Sequence, residues 1–210
     1  MKLQQIVKNV SRETFEDLCY YEEELKKWQA HINLISQKDS VHIWERHILD
    51  SIQIASLKGS ASHWLDVGSG GGFPGIVVAI YFKKEKDFLI ELVESNHKKA
   101  AFLSHIQRKL KLPLKVHAKR IEEVYSRIEQ PEIVSARALA SLEKLFSLCE
   151  YWLTKGAKGL YPKGKDADEE IKEAQKNWHF SLKKHKSLLQ KEATILEISD
   201  LQKISEKLNK

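Results

Sequence analysis

The stretch whose residue types and spacing best suit chemistry is His63-Trp64-Leu65-Asp66-Val67-Gly68-Ser69-Gly70-Gly71-Gly72-Phe73-Pro74-Gly75. Trp64, Leu65 and Val67 predict a buried strand, a costly place for an acid such as Asp66 unless it has a task. Glycines turn the chain with positive φ and let backbone amides approach a ligand. Pro74 suits the first turn of a helix, and the apolar run Ile76 to Phe82 predicts that helix. A strand, a glycine-rich turn and a helix N-terminus together make a nucleotide-binding corner. Two ligands fit it. Gly70-x-Gly72-x-x-Gly75 matches the dinucleotide fingerprint, with a pyrophosphate at the helix N-terminus. Asp66-x-Gly68-x-Gly70-x-Gly72 suits S-adenosylmethionine, with the acid facing the ligand's ammonium and the glycines leaving room for an uncharged stretch.

A second acid, Glu94, ends the apolar run Phe88 to Val93, 24 residues beyond Gly70. An acid at that place accepts from ribose hydroxyls, which both ligands carry. Ile121 and Glu122 follow the third strand and would flank an adenine, although Glu122 and Glu123 also suit the first turn of a helix. Arg137 follows the fourth strand, and Lys163 and Lys165 the fifth; all three are candidates for holding phosphates or the cofactor carboxylate. If the ligand donates a methyl group, the loop after strand four indicates the acceptor. Ser135-Ala136-Arg137-Ala138 carries no Asp/Asn-Pro-Pro-aromatic motif for an exocyclic amine, and neither cysteine is placed as a nucleophile for a pyrimidine carbon. A ring nitrogen with a free lone pair, such as guanine N7, remains. It needs alignment and no general base, so no catalytic acid or base is assigned.

These groups must be held by elements that the pattern also predicts. Residues 11–34 read as an amphipathic helix capped by Ser11, with Phe15, Leu18, Leu25, Trp28 and Ile32 inward. The polar break 36–40 caps a second helix, Val41 to Ala55, which ends near Gly59. On it Arg46, His47 and Asp50 lie close together, either as an Arg46–Asp50 ion pair along the helix or as a basic patch over the ligand mouth. Residue spacing alone favours the ion pair. Strands follow at 88–94, 112–117, 131–137 and 156–162, with helices at 97–110, 141–153 and 166–176 and a turn into a helix at 119–124. The helix from His97 turns Ala101, Phe102, Ile106 and Leu110 inward. Two closing β runs, 178–188 and 193–198, suit a sheet whose last strand inserts antiparallel, and the Lys-rich tail from Asp200 reads as a short helix.

At 210 residues the chain is long enough for a full α/β core, divided into an N-terminal helical cap (1–60) and a ligand-binding domain (61–210). No apolar run approaches the ~20 residues that span a bilayer, and the N-terminus has no secretory signature; a cytoplasmic monomer is expected. Cys19 and Cys149 read as buried reduced thiols, and no Cys/His cluster has metal-ligand spacing. A net charge of +6 permits nucleic-acid binding without showing it.

Several segments together resemble one family. They are Asn33-Leu34-Ile35-Ser36, Arg46-His47-Ile48-Leu49-Asp50-Ser51, the glycine stretch from Asp66 to Ile76, Ile121-Glu122-Glu123, Ser135-Ala136-Arg137-Ala138 and the Lys163-Gly164 loop. They are similar to the bacterial rRNA small subunit methyltransferase G (glucose-inhibited division protein B) family, from about Glu16 to Ile198. The resemblance implies a class I S-adenosylmethionine-dependent methyltransferase fold, a Rossmann-like and mostly parallel seven-stranded sheet, with a helical cap. It implies N7-methylation of a guanosine in 16S rRNA, in naked rRNA or in the 30S subunit. By motif position the cofactor contacts fall on Gly68, Phe73, Ile121, Glu122 and Arg137. Asp66, Gly70 and Glu94 join them from the general pattern, and Arg46, His47, Lys163 and Lys165 are the RNA-binding candidates. The sequence departs from the family pattern at Gly71, in the loop, and at Ala136, which separates Ser135 from Arg137 and leaves Ser135 without a role. An NAD-linked oxidoreductase is disfavoured by Asp66, the closing hairpin and the lack of a second substrate domain. A non-catalytic RNA-binding factor is the other alternative.

Overall fold

The computed structural model describes residues 10–37 and 40–204. Seven strands form one sheet: β1 (His63–Val67), β2 (Leu89–Val93), β3 (Leu114–His117), β4 (Ile133–Ser135), β5 (Lys158–Lys163), β6 (Trp178–Lys186) and β7 (Thr194–Lys203). Their order is β3-β2-β1-β4-β5-β7-β6, parallel except where β7 inserts antiparallel between β5 and β6. The chain winds outward from β1 to β2 and β3, then returns to β4 on the other side of β1. Open α/β sheets bind ligands at this reversal, beyond the carboxyl ends of the strands.

Helices cover both faces. One face packs α1 (Arg12–Gln29), α2 (Leu49–Ala55), α3 (Gly75–Tyr81) and α4 (His97–Leu110), and the other packs α5 (Leu142–Leu153) and α6 (Ala167–Ala174). Leu18, Tyr21 and Leu25 of α1 share one apolar cluster with Trp64, Ile76 and Phe102, so the N-terminal helices bury their inner face in the core of the sheet.

The helices differ from the sequence expectation at their ends, each for a local reason. Ser11 does cap α1, accepting from the Thr14 amide at 3.1 Å. The helix stops at Gln29, because the Gln29 carboxamide takes up the backbone groups of Leu34 and Ile35 and bends 30–37 into a loop. The second helix does not start at Val41, which is 78% exposed. It begins as a π-helical turn at Trp44–Ile48 and becomes α-helical only at Leu49. Its proposed cap falls partly on Lys38 and Asp39, outside the described residues. Gln53 of α2 is buried by a bridge to the closing hairpin, donating to the Lys186 carbonyl (2.9 Å) and accepting from the Leu188 amide (3.0 Å). In α4 it is Ala100 and Leu103, not Ala101, that join Phe102, Ile106 and Leu110 inside. The turn after β3 makes only one 3-10 turn, Ile121–Glu123. Asp200 to Lys203 continue β7 rather than forming a helix, since Trp178 pairs with Lys203 across the hairpin; residues 205–210 lie outside the described residues. Cys149 is buried as expected, whereas Cys19 is only half-buried.

Candidate active site

The carboxyl ends of β1, β2 and β4 open into a cleft of about 910 Å³, whose far wall is the loop 33–37 from the N-terminal helices. The cleft gathers His47, Gly68, Gly70, Phe73, Glu94, Ile121, Glu122 and Arg137 from the sequence candidates. Arg46, Asp66, Lys163 and Lys165 do not line it.

The glycine stretch follows β1 as read. Gly68 and Ser69 donate to the Val93 carbonyl at 2.8 and 3.2 Å, which ties the loop to the end of β2. Its glycines serve two purposes. A Cβ at Gly72 would stand 2.4 Å from Ile76 and 2.9 Å from the Tyr21 hydroxyl, and one at Gly75 would stand 2.4 Å from Leu92. Those two positions are small because α1, α3 and the sheet close on them. Gly70 differs: a Cβ there meets nothing nearer than 3.8 Å, but its φ of +56° excludes ordinary side chains and turns its amide inward. That amide donates to Glu94 at 2.8 Å, and the other Glu94 oxygen accepts from the Asn96 amide at 2.7 Å. Glu94 is thereby fixed at the cleft wall, with lone pairs left for further donors.

Asp66 lies beneath the loop with no exposed surface. It accepts from the Ser135 hydroxyl at 2.6 Å, and that hydroxyl in turn accepts from the Trp64 indole at 2.9 Å. Ser135, without a role in the sequence reading, thus joins β4 to β1 under the site. The second Asp66 oxygen has no hydrogen bond of good geometry among the described residues, although it faces the Gly75 turn of α3. Burial pushes the carboxyl up to about 6, against the Ser135 and Ser69 hydroxyls, the charge of Arg137 and the Gly75 backbone.

Phe73 is the apolar centre of the wall. Its ring stacks on His47 at 4.8 Å between centroids and meets Tyr21 at 5.3 Å, and the Arg137 guanidinium sits 4.9 Å from its centroid. Arg137 also donates to the Arg46 carbonyl at 3.1 Å and stands 3.9 Å from Asp50. This corrects the helix-surface ion pair: the π-helical turn sets Asp50 toward Arg137 of the core, not along the helix toward Arg46. His47 is a buried wall residue rather than a surface cation.

Lys163 is also placed differently from the RNA-face expectation. Its side chain is 8% exposed and donates to the Ala140 carbonyl (2.8 Å) and to Glu170 (2.7 Å), which also accepts from the Leu142 amide at 2.6 Å. The geometry assigns Lys163 to holding the loop 137–141, where Leu139 lies over Gly68. Lys165 is exposed beyond it. Sequence reasoning missed Gln29, Lys99, Lys119 and Arg120, the last three on the cleft rim. For Gln29 the only sequence signal was a polar residue four before the Asn33-Leu34-Ile35-Ser36 motif.

Comparisons with known proteins agree with this architecture. Among solved structures, the chain is similar to the O-methyltransferase TomG from Streptomyces achromogenes in complex with SAM, with a TM-score of 0.60 at 10% identity, covering 91% of this chain and 92% of that one. It is also similar to a putative O-methyltransferase from Klebsiella pneumoniae, with a TM-score of 0.58 at 10% identity over 88% and 90% of the two chains. At such identities the likeness speaks for the fold, that of class I methyltransferases. Sequence relatives are nearer. The ribosomal RNA small subunit methyltransferase G of Chelativorans sp. (strain BNC1) is 48% identical over 202 residues, 96% of each chain. That of Brucella anthropi is 48% identical over 201 residues, 96% of this chain and 94% of its own. A family model described as rRNA small subunit methyltransferase G matches residues 14–199. The chain therefore belongs to the rRNA small subunit methyltransferase G family, and is a methyltransferase.

Proposed function

We propose that the protein transfers a methyl group from S-adenosylmethionine to N7 of a guanosine in 16S rRNA. The observation that carries this reading is the convergence of Gly68, Gly70, Glu94, Ile121, Glu122 and Arg137 on one cleft at the point where the strand order reverses. When bound, the cofactor supplies a methyl group made electrophilic by a sulfonium. The residues fit it: Glu94, fixed by two backbone amides, would accept from the ribose hydroxyls, and Ile121 and Glu122 would offer the adenine an apolar contact and an acceptor. Gly70 leaves open space for the uncharged stretch of the ligand. Asp66 acts from below, through the loop and the start of α3.

Guanine N7 carries an in-plane lone pair and no proton, so no residue has to remove one before attack or after it. Burial pushes the Cys149 thiol up to about 12, which suits a packing role in α5 rather than a nucleophile. The chain's task is to align the base, exclude water and hold the charged groups in place. Exposed Arg46 and Lys165 are assigned to phosphate contacts, with Lys99, Lys119 and Arg120 on the rim. We further infer a cytoplasmic monomer that acts on the 30S subunit or its rRNA, with residues 1–60 as the cap that shapes the substrate side and 61–210 as the catalytic domain. Among the described residues no helix is long and apolar enough to cross a membrane.

Calorimetric titration with S-adenosylhomocysteine and with NADH, followed by methyl incorporation into 16S rRNA lacking the mark, tests the reading. Binding of NADH alone overturns it, and cofactor binding without incorporation favours a non-catalytic RNA-binding factor. Gly70→Val is expected to abolish S-adenosylhomocysteine binding, since it strains a backbone at φ +56° and fills the cleft; unchanged affinity would make the loop purely structural.

A further inference from the structure

We propose that the loop 33–37 is the wall that receives the target base, that Asn33 is its specificity-determining residue, and that Gln29 is the residue that positions it. This rests on the guanosine-N7 reading and names a determinant for it.

The loop is held with unusual economy. The Gln29 carboxamide oxygen accepts from the Leu34 amide (2.9 Å) and the Ile35 amide (3.0 Å), while its nitrogen donates to the Ile35 carbonyl (2.9 Å). One side chain therefore satisfies three backbone groups that a loop leaves without partners. Leu34 is buried in the core, and its carbonyl lies 3.1 Å from where a Cβ of Gly71 would stand. The loop thus lies against the glycine turn, and a Cβ at position 71 would shift it by a few tenths of an ångström.

Asn33 precedes this anchor, is exposed, and lines the cleft. Among the described residues no hydrogen bond or ion pair engages its side chain. Its backbone is thereby fixed while its carboxamide stays available to a ligand. Leu139, Arg137 and the stacked Phe73–His47 pair line the same cleft. The aromatic and apolar lining offers faces on which a flat base can stack. Guanine O6 lies between N7 and N1–H on the ring, and a carboxamide donates to O6 and accepts from N1–H side by side. Such a pair fixes the ring without covering N7, and each good bidentate pair discriminates strongly against a wrong base.

The test uses the full chain. Asn33→Ala and Asn33→Asp are each expected to lower kcat/KM for unmethylated 16S rRNA about 10- to 100-fold, with S-adenosylhomocysteine affinity by calorimetry within about two-fold of wild type. Gln29→Ala is expected to speed hydrogen exchange at the Leu34 and Ile35 amides and to lower kcat with the cofactor still bound. Gln29→Glu keeps the two accepted bonds but sets a carboxylate oxygen against the Ile35 carbonyl, and is expected to recover only part of both. Asn33→Ala with wild-type kcat/KM overturns the proposal, and so does a loss of cofactor affinity parallel to the loss of rate, which would put Asn33 in the cofactor site. A wild-type protein that binds cofactor yet leaves 16S rRNA unmethylated sinks the underlying reading, and shows this before any variant is made.

Discussion

Two buried carboxylates on neighbouring strands have opposite surroundings. Glu91 of β2 bridges two histidines, with His63 at 2.9 Å on one oxygen and His117 at 2.7 Å on the other. Burial alone would raise its carboxyl, but the hydrogen bonds and charges of His117 and His63 outweigh that and hold it at about 2. Asp66 of β1, one residue out of step with Glu91 in the pairing, faces the opposite side of the sheet. The close Ser135 hydroxyl on one oxygen, with weaker help from Ser69, does not offset its burial, and it is pushed up to about 6. Glu91 joins β1, β2 and β3 away from the cleft; Asp66 lies directly under it. The acid with a full set of partners adds to stability, whereas the one under the site is held at a cost. Such local costs mark functional sites more often than structural ones.

The largest effect that would break this contrast comes from removing both histidines. His63→Leu with His117→Leu leaves Glu91 buried without partners and is expected to cost about 3–5 kcal/mol in urea denaturation at pH 7; a loss below 1 kcal/mol would mean that Glu91 is neutral or hydrated in the fold. Ser135→Ala comes next. It removes the one hydrogen bond of good geometry that the Asp66 carboxyl accepts among the described residues, and the acceptor of the Trp64 indole, for about 1–3 kcal/mol, and should raise the Asp66 titration midpoint further, as read by carboxyl carbon NMR.

The smallest effect is a slope. An acid whose pKa is raised by folding binds its proton more tightly in the native state, so the Asp66 contribution to stability declines as pH rises from about 4 to about 6. An acid whose pKa is lowered does the reverse: the Glu91 contribution is complete above its ordinary value and is lost as pH falls toward about 2. Asp66→Asn should therefore flatten the stability curve between pH 4 and 6 and leave the acid limb in place, whereas Glu91→Gln should weaken the acid limb. Identical curves for Asp66→Asn and wild type would remove the cost assigned to Asp66.

What the residues alone revealed follows the range of the forces involved. The strands, the glycine turn, the antiparallel closing hairpin and the acids at strand ends were legible, because alternation, glycine spacing and capping act over a few residues. Lys163 was misread because its partners, Ala140 and Glu170, lie on other elements, and a basic residue in a Lys-Gly-Lys loop looks the same in sequence whether exposed or buried. Asp50 was misread because a helix surface was assumed where a π-helical turn re-aims the side chain toward Arg137. Ser135 and Gln29 act across 69 residues and on a loop bend respectively, and no local pattern reports either.

The bridge from Gln53 to Lys186 and Leu188 also ties folding order to chain order. Ile195 of the hairpin belongs to the same apolar cluster as Leu34 and Ile43, so the closing strands and the N-terminal segment share one core. Contacts spanning more than 130 residues are slow to form because loop closure comes first.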